Sequence, residues 1–228
     1  MSLPTIHPQN PTTITPEPLT KESFAPFGTA IYSPLPISQP HPPNPHPPHN
    51  PPPVPANQGT ALKYSPVSPL TDNYASAPSG QPAAARMSMF SCYPRTLREH
   101  SHQSIFDLQV LERHPFTTQT FTPVGLSSAD EPWFLVIVAP SLKGGVARDG
   151  ERTVADPPDL NNVRAFVARG GQAVTYGAGT WHAPMAVMGG RRVDFVVVQF
   201  VNGVDAEDVQ EVAVNGVEVR VGGKDAKL

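Results

Sequence analysis

Proline does more than any other residue to limit what this chain can fold into. The sequence holds 30 prolines, 22 of them before residue 83, and 12 of the 22 residues from Pro34 to Pro55 are proline. Each one removes a backbone donor and is excluded from helix interiors and central strands. Residues 34–55, which also carry His41, His46 and His49, are therefore read as an inserted loop. A polyproline ligand for an SH3- or WW-type partner and a histidine metal tract are its functional readings. A solvated low-complexity loop accounts for the same composition with neither.

The core has to come from the rest. With 228 residues, 39% of them apolar, one domain spanning 1–228 can bury a sizeable interior. The single cysteine, Cys92, rules out an intrachain disulfide, and the opening MSLPTIHPQNP has neither the basic start nor the apolar stretch that directs secretion. The longest apolar run, Trp133 to Ala139, has seven residues, far short of the roughly 20 that a membrane-spanning helix needs. Sixteen basic residues against nineteen acidic ones, scattered along the chain, leave no footprint for nucleic acid. The expected partner is a small molecule, with no nucleic acid and no membrane.

From Met87 onward β-rich stretches alternate with turns: Met87 to Tyr93, Ile105 to Arg113, Thr117 to Pro123, Trp133 to Ala139, Val163 to Ala168, Gln172 to Tyr176 and Val193 to Val201. Seven such strands with no long helical period predict a mainly β fold, a sandwich or barrel. Leu19 to Gly28 predicts one helical turn capped by Thr20, Ile31 and Tyr32 a short strand, and Asp205 to Glu211 a short helix. Residues 212–228 are read as a C-terminal hairpin and tail. Val212 and Val214, then Val217, Val219 and Val221, alternate around Asn215 and Gly216, a strong hairpin-turn pair.

Chemistry-bearing residues fall at two spacings. Gly171, Gly177, Gly179 and His182 match the second sequence motif of the cupins, apart from Gly177, where that motif has proline. The glycines license a tight turn that aims His182 into a barrel. The first motif is partial: His114 is followed by Gln119 and Gly125, with Glu112 two residues before it, so a carboxylate and a neutral amide replace the usual histidine and glutamate. Together the motifs imply a cupin-like double-stranded β-barrel, or jelly roll, with a few short helices and the Pro-rich inserted loop. An amide is a poor ligand for transition metals, so no tightly held cofactor is expected; His114, His182 and Glu112 leave room for a weakly bound divalent metal. Glu112 and Arg113 are adjacent on a strand and point to opposite faces, so Glu112 shares the face of His114 and can orient an imidazole.

The segments ERHPFTTQTFTP from Glu112, PDLNNVRAF from Pro158, GTWHAPM from Gly179 and NQGTALKY from Asn57, with LTKESFAPFG from Leu19, resemble the ureidoglycolate lyase family, also called ureidoglycolate hydrolase. The resemblance covers nearly everything except 34–55, stretches around 65–85 and the tail after about Val212. It implies cleavage of ureidoglycolate to glyoxylate and urea, a late step of purine and allantoin breakdown, on a homodimeric cupin-like barrel. The pattern departs where the family often has a second histidine, since this chain has Ala183, and the proline insertion directly precedes NQGTALKY.

That reaction is an elimination and needs a base, an acid, a cation for the carboxylate and neutral partners for the ureido group. His114 and His182 are the expected acid and base pair, in either order. Lys63 is expected to bind the carboxylate, with Arg86 and Arg95 behind it. Asn57, Thr60 and Gln119 are expected on the ureido group, and Tyr64, Tyr176 and Trp181 around the pocket. Competing readings are a metal-dependent cupin isomerase or dioxygenase built on His114, His182 and Glu112, a non-catalytic cupin that binds a small carboxylate or ureide, and an interaction protein working through its prolines. The last residues, Ala226, Lys227 and Leu228, resemble the peroxisomal address SKL, so the expected location is the cytoplasm or the peroxisome. The proline tract supplies the first test: deleting Pro36 to Pro53 is expected to leave glyoxylate release from ureidoglycolate intact, and loss of turnover in a folded deletion variant would tie the tract to function.

Overall fold

The apolar residues Trp133–Ala139 form the strand around which the molecule is built. In the computed structural model, which describes residues 3–127, 130 and 133–222, every residue of this strand after Trp133 is buried. Side chains alternate between the two faces of a strand, and here each face has its own core. Phe134, Val136 and Val138 enter one cluster with Phe121, Phe166, Val174, Phe195 and Val197. Leu135, Ile137 and Ala139 enter another with Trp181, Val212, Val217 and Val219. A sheet covered on both sides is what allows an unbroken apolar run to be a strand.

Two sheets enclose the first cluster. In one, Trp133–Ala139 lies between Arg164–Ala168 and Trp181–His182, followed by Val110–Arg113 and Gln210–Val214, each antiparallel to its neighbour. In the other the order is Gly28–Tyr32, Gln172–Tyr176, Gln119–Val124, Val193–Val201 and Ala84–Cys92, again antiparallel. Aromatic edges join the layers: Phe134 meets Phe195 at 5.1 Å and nearly perpendicular, the geometry that ring quadrupoles favour. The fold is mainly β, as the cupin-like reading requires, and α-helix is confined among the described residues to the single turns Lys21–Phe24 and Asp205–Asp208. The first begins where expected, with Thr20 Oγ1 accepting the Ser23 N–H at 3.0 Å and Ser23 Oγ accepting the Thr20 N–H at 3.2 Å.

The expected C-terminal hairpin does not form. Gln210–Val214 pairs with Val110–Arg113, and Val217–Gly222 pairs with Gln103–Asp107, so the chain runs on through Asn215 and Gly216 without reversing. A two-residue Asn-Gly hairpin loop needs positive φ at both residues, and of this pair only Gly216 has it, at +91°. The stretch expected as one strand from Ile105 to Arg113 breaks at Leu108 and Gln109 to follow the same bend. Thr5–Ile6 and Thr12–Ile14 run parallel to the two C-terminal halves. The five valines of the pattern all reach one core, and the helix expected to run to Glu211 stops at Asp208 because Gln210 already belongs to the sheet. Residues 223–228, with Ala226, Lys227 and Leu228, lie outside the described residues.

Residues 33–53 form neither helix nor strand. His49 anchors them, edge-on to Tyr64 at 4.7 Å and with Nε2 2.7 Å from Lys21 Nζ. The tract roofs a cavity of about 1280 Å³ over the outer face of the second sheet, where Ile31, Thr122 and Ala173 line it. Val54–Ala56 and Ala61–Lys63 make a separate two-stranded hairpin joined to neither large sheet.

Phe134 is wholly buried, so Phe134→Ala is expected to lower the unfolding free energy by about 3–5 kcal/mol in chemical denaturation. Gly28 lies so close to its neighbouring strand that a Cβ there would sit 1.9 Å from the Thr175 carbonyl oxygen. Gly28→Ala is expected to loosen Gly28–Tyr32 from Gln172–Tyr176, read as faster amide exchange along both strands.

Candidate active site

The two motifs meet through strand pairing. Glu112 lies directly opposite His182 in the first sheet, and Val138 lies opposite it on the other side. Gly179, at a left-handed φ of +77° that suits glycine, turns its N–H onto the His114 carbonyl at 2.8 Å. That one bond ties the turn before His182 to the first motif. In the second sheet Tyr176, Gln119, Gln199 and Arg86 form a row across four strands, and residues directly opposite one another share a face. Phe90, on the same face of the strand as Arg86, touches Phe121 at 5.7 Å, which marks that face as the inner one.

The two histidines carry opposite hydrogen-bond arrangements. His182 is 1% exposed and its ring stacks on Tyr176 at 3.9 Å and 11°. Its Nδ1 is 2.9 Å from the Thr180 carbonyl, and its Nε2 is 3.2 Å from Gln119 Oε1 and 3.5 Å from a Glu112 carboxylate oxygen. All three partners are acceptors, so both nitrogens are satisfied only when the ring carries two protons. The Gln119 amide is oriented in turn by donating from Nε2 to Gln199 Oε1 at 2.5 Å. His114, also buried, has Nδ1 2.6 Å from the Asp208 carbonyl oxygen, which holds the proton on that nitrogen. Its Nε2 keeps the lone pair, and this buried atom has no hydrogen-bond partner among the described residues. The two rings lie 5.5 Å apart.

Charge and burial agree with this division. Burial holds His114 below the usual imidazole range and neighbouring His182 adds to the effect, against weaker opposition from Asp208, Glu112 and Gln119. Burial alone would raise the Glu112 carboxyl, but its hydrogen bond to His182 and the charges of His182 and His114 outweigh that and hold it below the ordinary carboxylate range. Glu112 is thus an anion beside His182. A Glu112 oxygen and one nitrogen of each ring also lie within 4.8 Å of one another. Two imidazoles and a carboxylate suit a divalent transition metal, and the unpartnered His114 Nε2 fits that use as well.

Of the residues expected here, Glu112, His114, Gln119, Tyr176 and His182 come together. Trp181 does not. As the strand neighbour of His182 it points the other way, into the second core, where Nε1 donates to the Asp156 carbonyl at 2.9 Å and the Arg113 guanidinium lies 4.7 Å over the ring. Asn57, Thr60 and Lys63 sit on the separate hairpin, with Lys63 exposed and Thr60 Oγ1 donating back to the Asn57 carbonyl. Tyr64 follows it and packs on His49. Thr60 and Tyr64 line the cavity beneath the proline tract, to which none of the five assembled residues contributes. Among the reserve cations, Arg95 stacks on Phe106 in the second core at 5.3 Å, whereas Arg86, itself exposed, lies in register with the inner row.

Two residues were missed. Gln199 carries a readable sign, a polar side chain at an alternating position of Val193–Val201 where Val193, Phe195, Val197 and Val201 are buried. Asp208 acts on His114 through its backbone carbonyl, which no side-chain pattern records.

Known proteins are similar to this chain in sequence over most of its length. The family model described as ureidoglycolate lyase matches residues 11–221. The chain is 38% identical over 192 residues to the ureidoglycolate lyase of Schizosaccharomyces pombe, covering 84% of this chain and 86% of the relative. It is 38% identical over 193 residues to that of Saccharomyces cerevisiae, covering 82% and 85%, and 30% identical over 199 residues to that of Burkholderia mallei, covering 87% and 88%. A family model matched over residues 11–221, and relatives aligned over more than four-fifths of their length, lead to one conclusion: this chain belongs to the ureidoglycolate lyase family.

Proposed function

We propose that the protein cleaves ureidoglycolate into glyoxylate and urea, with His114 as the base and His182 as the acid. The observation that carries this reading is the complementary proton arrangement of two buried rings 5.5 Å apart, one with a free Nε2 lone pair and the other with both nitrogens facing acceptors. Ureidoglycolate carries a hydroxyl, a ureido nitrogen and a carboxylate on one carbon. His114 Nε2 takes the hydroxyl proton, the oxygen's electron pair forms the carbonyl of glyoxylate, and the carbon–nitrogen bond breaks. The departing nitrogen takes its proton from His182 Nε2 and leaves as urea. No water is consumed, and proton exchange after product release restores the starting state. Glu112 stabilises the His182 cation, Tyr176 supports its ring, and the amides of Gln119 and Gln199 suit the uncharged ureido group.

Arg86 replaces Lys63 as the preferred cation for the substrate carboxylate. Its register in the row with Gln199 and Gln119 supports this, as does the fit of a guanidinium fork to a planar carboxylate. A second reading rests on the same donor set: a divalent metal bound by Glu112, His114 and His182 would supply Lewis-acid polarisation of the hydroxyl.

The family resemblance and the edge strand Ala84–Cys92, with exposed Met87, Met89 and Tyr93, support a homodimer joined at that edge. Among the described residues no helix is long and apolar enough to cross a membrane. The sequence Ala226, Lys227 and Leu228 supports delivery to the peroxisome, against the cytoplasm as the alternative.

Chelator-treated protein given ureidoglycolate is expected to release urea and glyoxylate in equal amounts without ammonia. Recovery of lost turnover on adding a divalent metal would favour the metal-bound reading, and no turnover under either condition would sink the lyase proposal. His114→Ala and His182→Ala are each expected to lower kcat by about 10²- to 10⁴-fold. Arg86→Ala is expected to raise KM by about 10- to 100-fold, the worth of a lost hydrogen bond between charged groups, with kcat changed far less. An unchanged KM would remove Arg86 from the site.

A further inference from the structure

The orientation of His114 depends on a carbonyl that is itself held in place. Asp208 ends the one-turn helix Asp205–Asp208, and a single turn does not sustain itself, because helix nucleation is costly and only later turns repay it. What holds the turn is the Asp208 carboxylate. Its Oδ1 accepts from the Tyr74 hydroxyl at 2.6 Å and from the Asn202 N–H at 2.9 Å, and its Oδ2 accepts from the Gly203 N–H at 2.9 Å. Tyr74 is buried, lies far away in sequence, and packs at a tilt against Phe116 of the first motif, with ring centres 5.7 Å apart. Burial and the adjacent Asp208 push its hydroxyl above the ordinary phenol range, so it remains a donor. A second clasp stands next to the first: the Glu207 carboxylate accepts from the Ser79 N–H at 2.7 Å, the Ser79 hydroxyl at 2.6 Å and the Asn202 side-chain amide at 2.7 Å.

We propose that Asp208, tethered by Tyr74, is a positioning residue for His114. The tether fixes the Asp208 carbonyl 2.6 Å from His114 Nδ1, and the carbonyl fixes both the tautomer and the aim of the ring. A carbonyl accepts the Nδ1–H bond without taking its proton, so Nδ1 keeps the hydrogen, and the ring, which burial holds below the usual imidazole range, presents Nε2 as a lone pair. This is the same service that outer partners give to histidines acting through their other nitrogen. The inference holds whether Nε2 receives the substrate proton or binds a metal. Its effect on turnover rests on the lyase reading above, while its effect on the ring does not.

The test uses the full-length protein with ¹⁵N-labelled histidine, in Tyr74→Phe, Asp208→Ala and Asp208→Asn variants. Two readouts are taken: the His114 ring tautomer by nitrogen–proton correlation, assigned with His114→Gln, and kcat and KM on ureidoglycolate. Wild type is expected to show one tautomer, protonated at Nδ1. Tyr74→Phe and Asp208→Ala are expected to give mixed tautomers and to lower kcat by about 10- to 100-fold with KM little changed. Asp208→Asn keeps an acceptor for Tyr74 and is expected to restore most of both. If both disruptive variants fold and retain the single Nδ1–H tautomer and wild-type kcat, the proposal is overturned. A loss of kcat that only tracks the folded fraction, with the tautomer unchanged, also overturns it. A wild type that binds but never turns over ureidoglycolate, while its His114 tautomer still responds to the variants, would defeat the lyase reading and leave the positioning role standing.

Discussion

The strand Trp133–Ala139 is buried on both faces, and each face requires a layer of its own. Phe134, Val136 and Val138 draw the second sheet onto one side, while Leu135, Ile137 and Ala139 draw the C-terminal strands onto the other. Burying a large apolar side chain contributes roughly 1.5–3 kcal/mol, so several such residues in one strand outweigh any surface contact in the molecule. The strand that carries His182 pairs directly with this one. His182 is therefore a neighbour of the most constrained segment in the chain, and Trp181, packed into the opposite core, pins it from behind.

Polar groups drawn into such an interior have to satisfy one another. Gln119 joins Gln199 to His182, Glu112 faces His182 as its counter-charge, and the Thr180 carbonyl takes the remaining ring proton. An unpaired buried polar group costs about 1–3 kcal/mol. Within the two-histidine cluster, that cost falls on His114 Nε2, the atom best suited to accept a proton, and on the Tyr176 hydroxyl beneath the paired ring. Apart from these two atoms the cluster is hydrogen-bonded within itself, which leaves the His114 acceptor nitrogen available.

Much of this was legible from spacing alone. The strands from Val163 to Ala168, Gln172 to Tyr176 and Val193 to Val201 appear with boundaries shifted by at most a residue, because their periodicity and flanking turns are local properties. Glu112, His114, Gln119 and His182 could be grouped because strand alternation and a glycine turn dictate which way each side chain points. The misreadings share a cause. Asn215 and Gly216 look like a hairpin turn locally, yet each flanking strand finds a better partner in Gln103–Asp107 or Val110–Arg113. Lys63 and Asn57, expected beside the histidines, lie apart from them because their hairpin joins neither large sheet.

The sequence by itself determined a mainly β chain, an inserted loop wherever proline removes the donors a strand needs, and a pair of histidines carried on motifs of defined spacing. Only the tertiary structure decided which ring nitrogens face acceptors and which one is left unpartnered. That choice depends on the Asp208 and Thr180 carbonyls and on the Gln119 amide. Backbone oxygens are the same in every residue, so nothing in the order of side chains reveals which of them the fold will bring to a ring nitrogen.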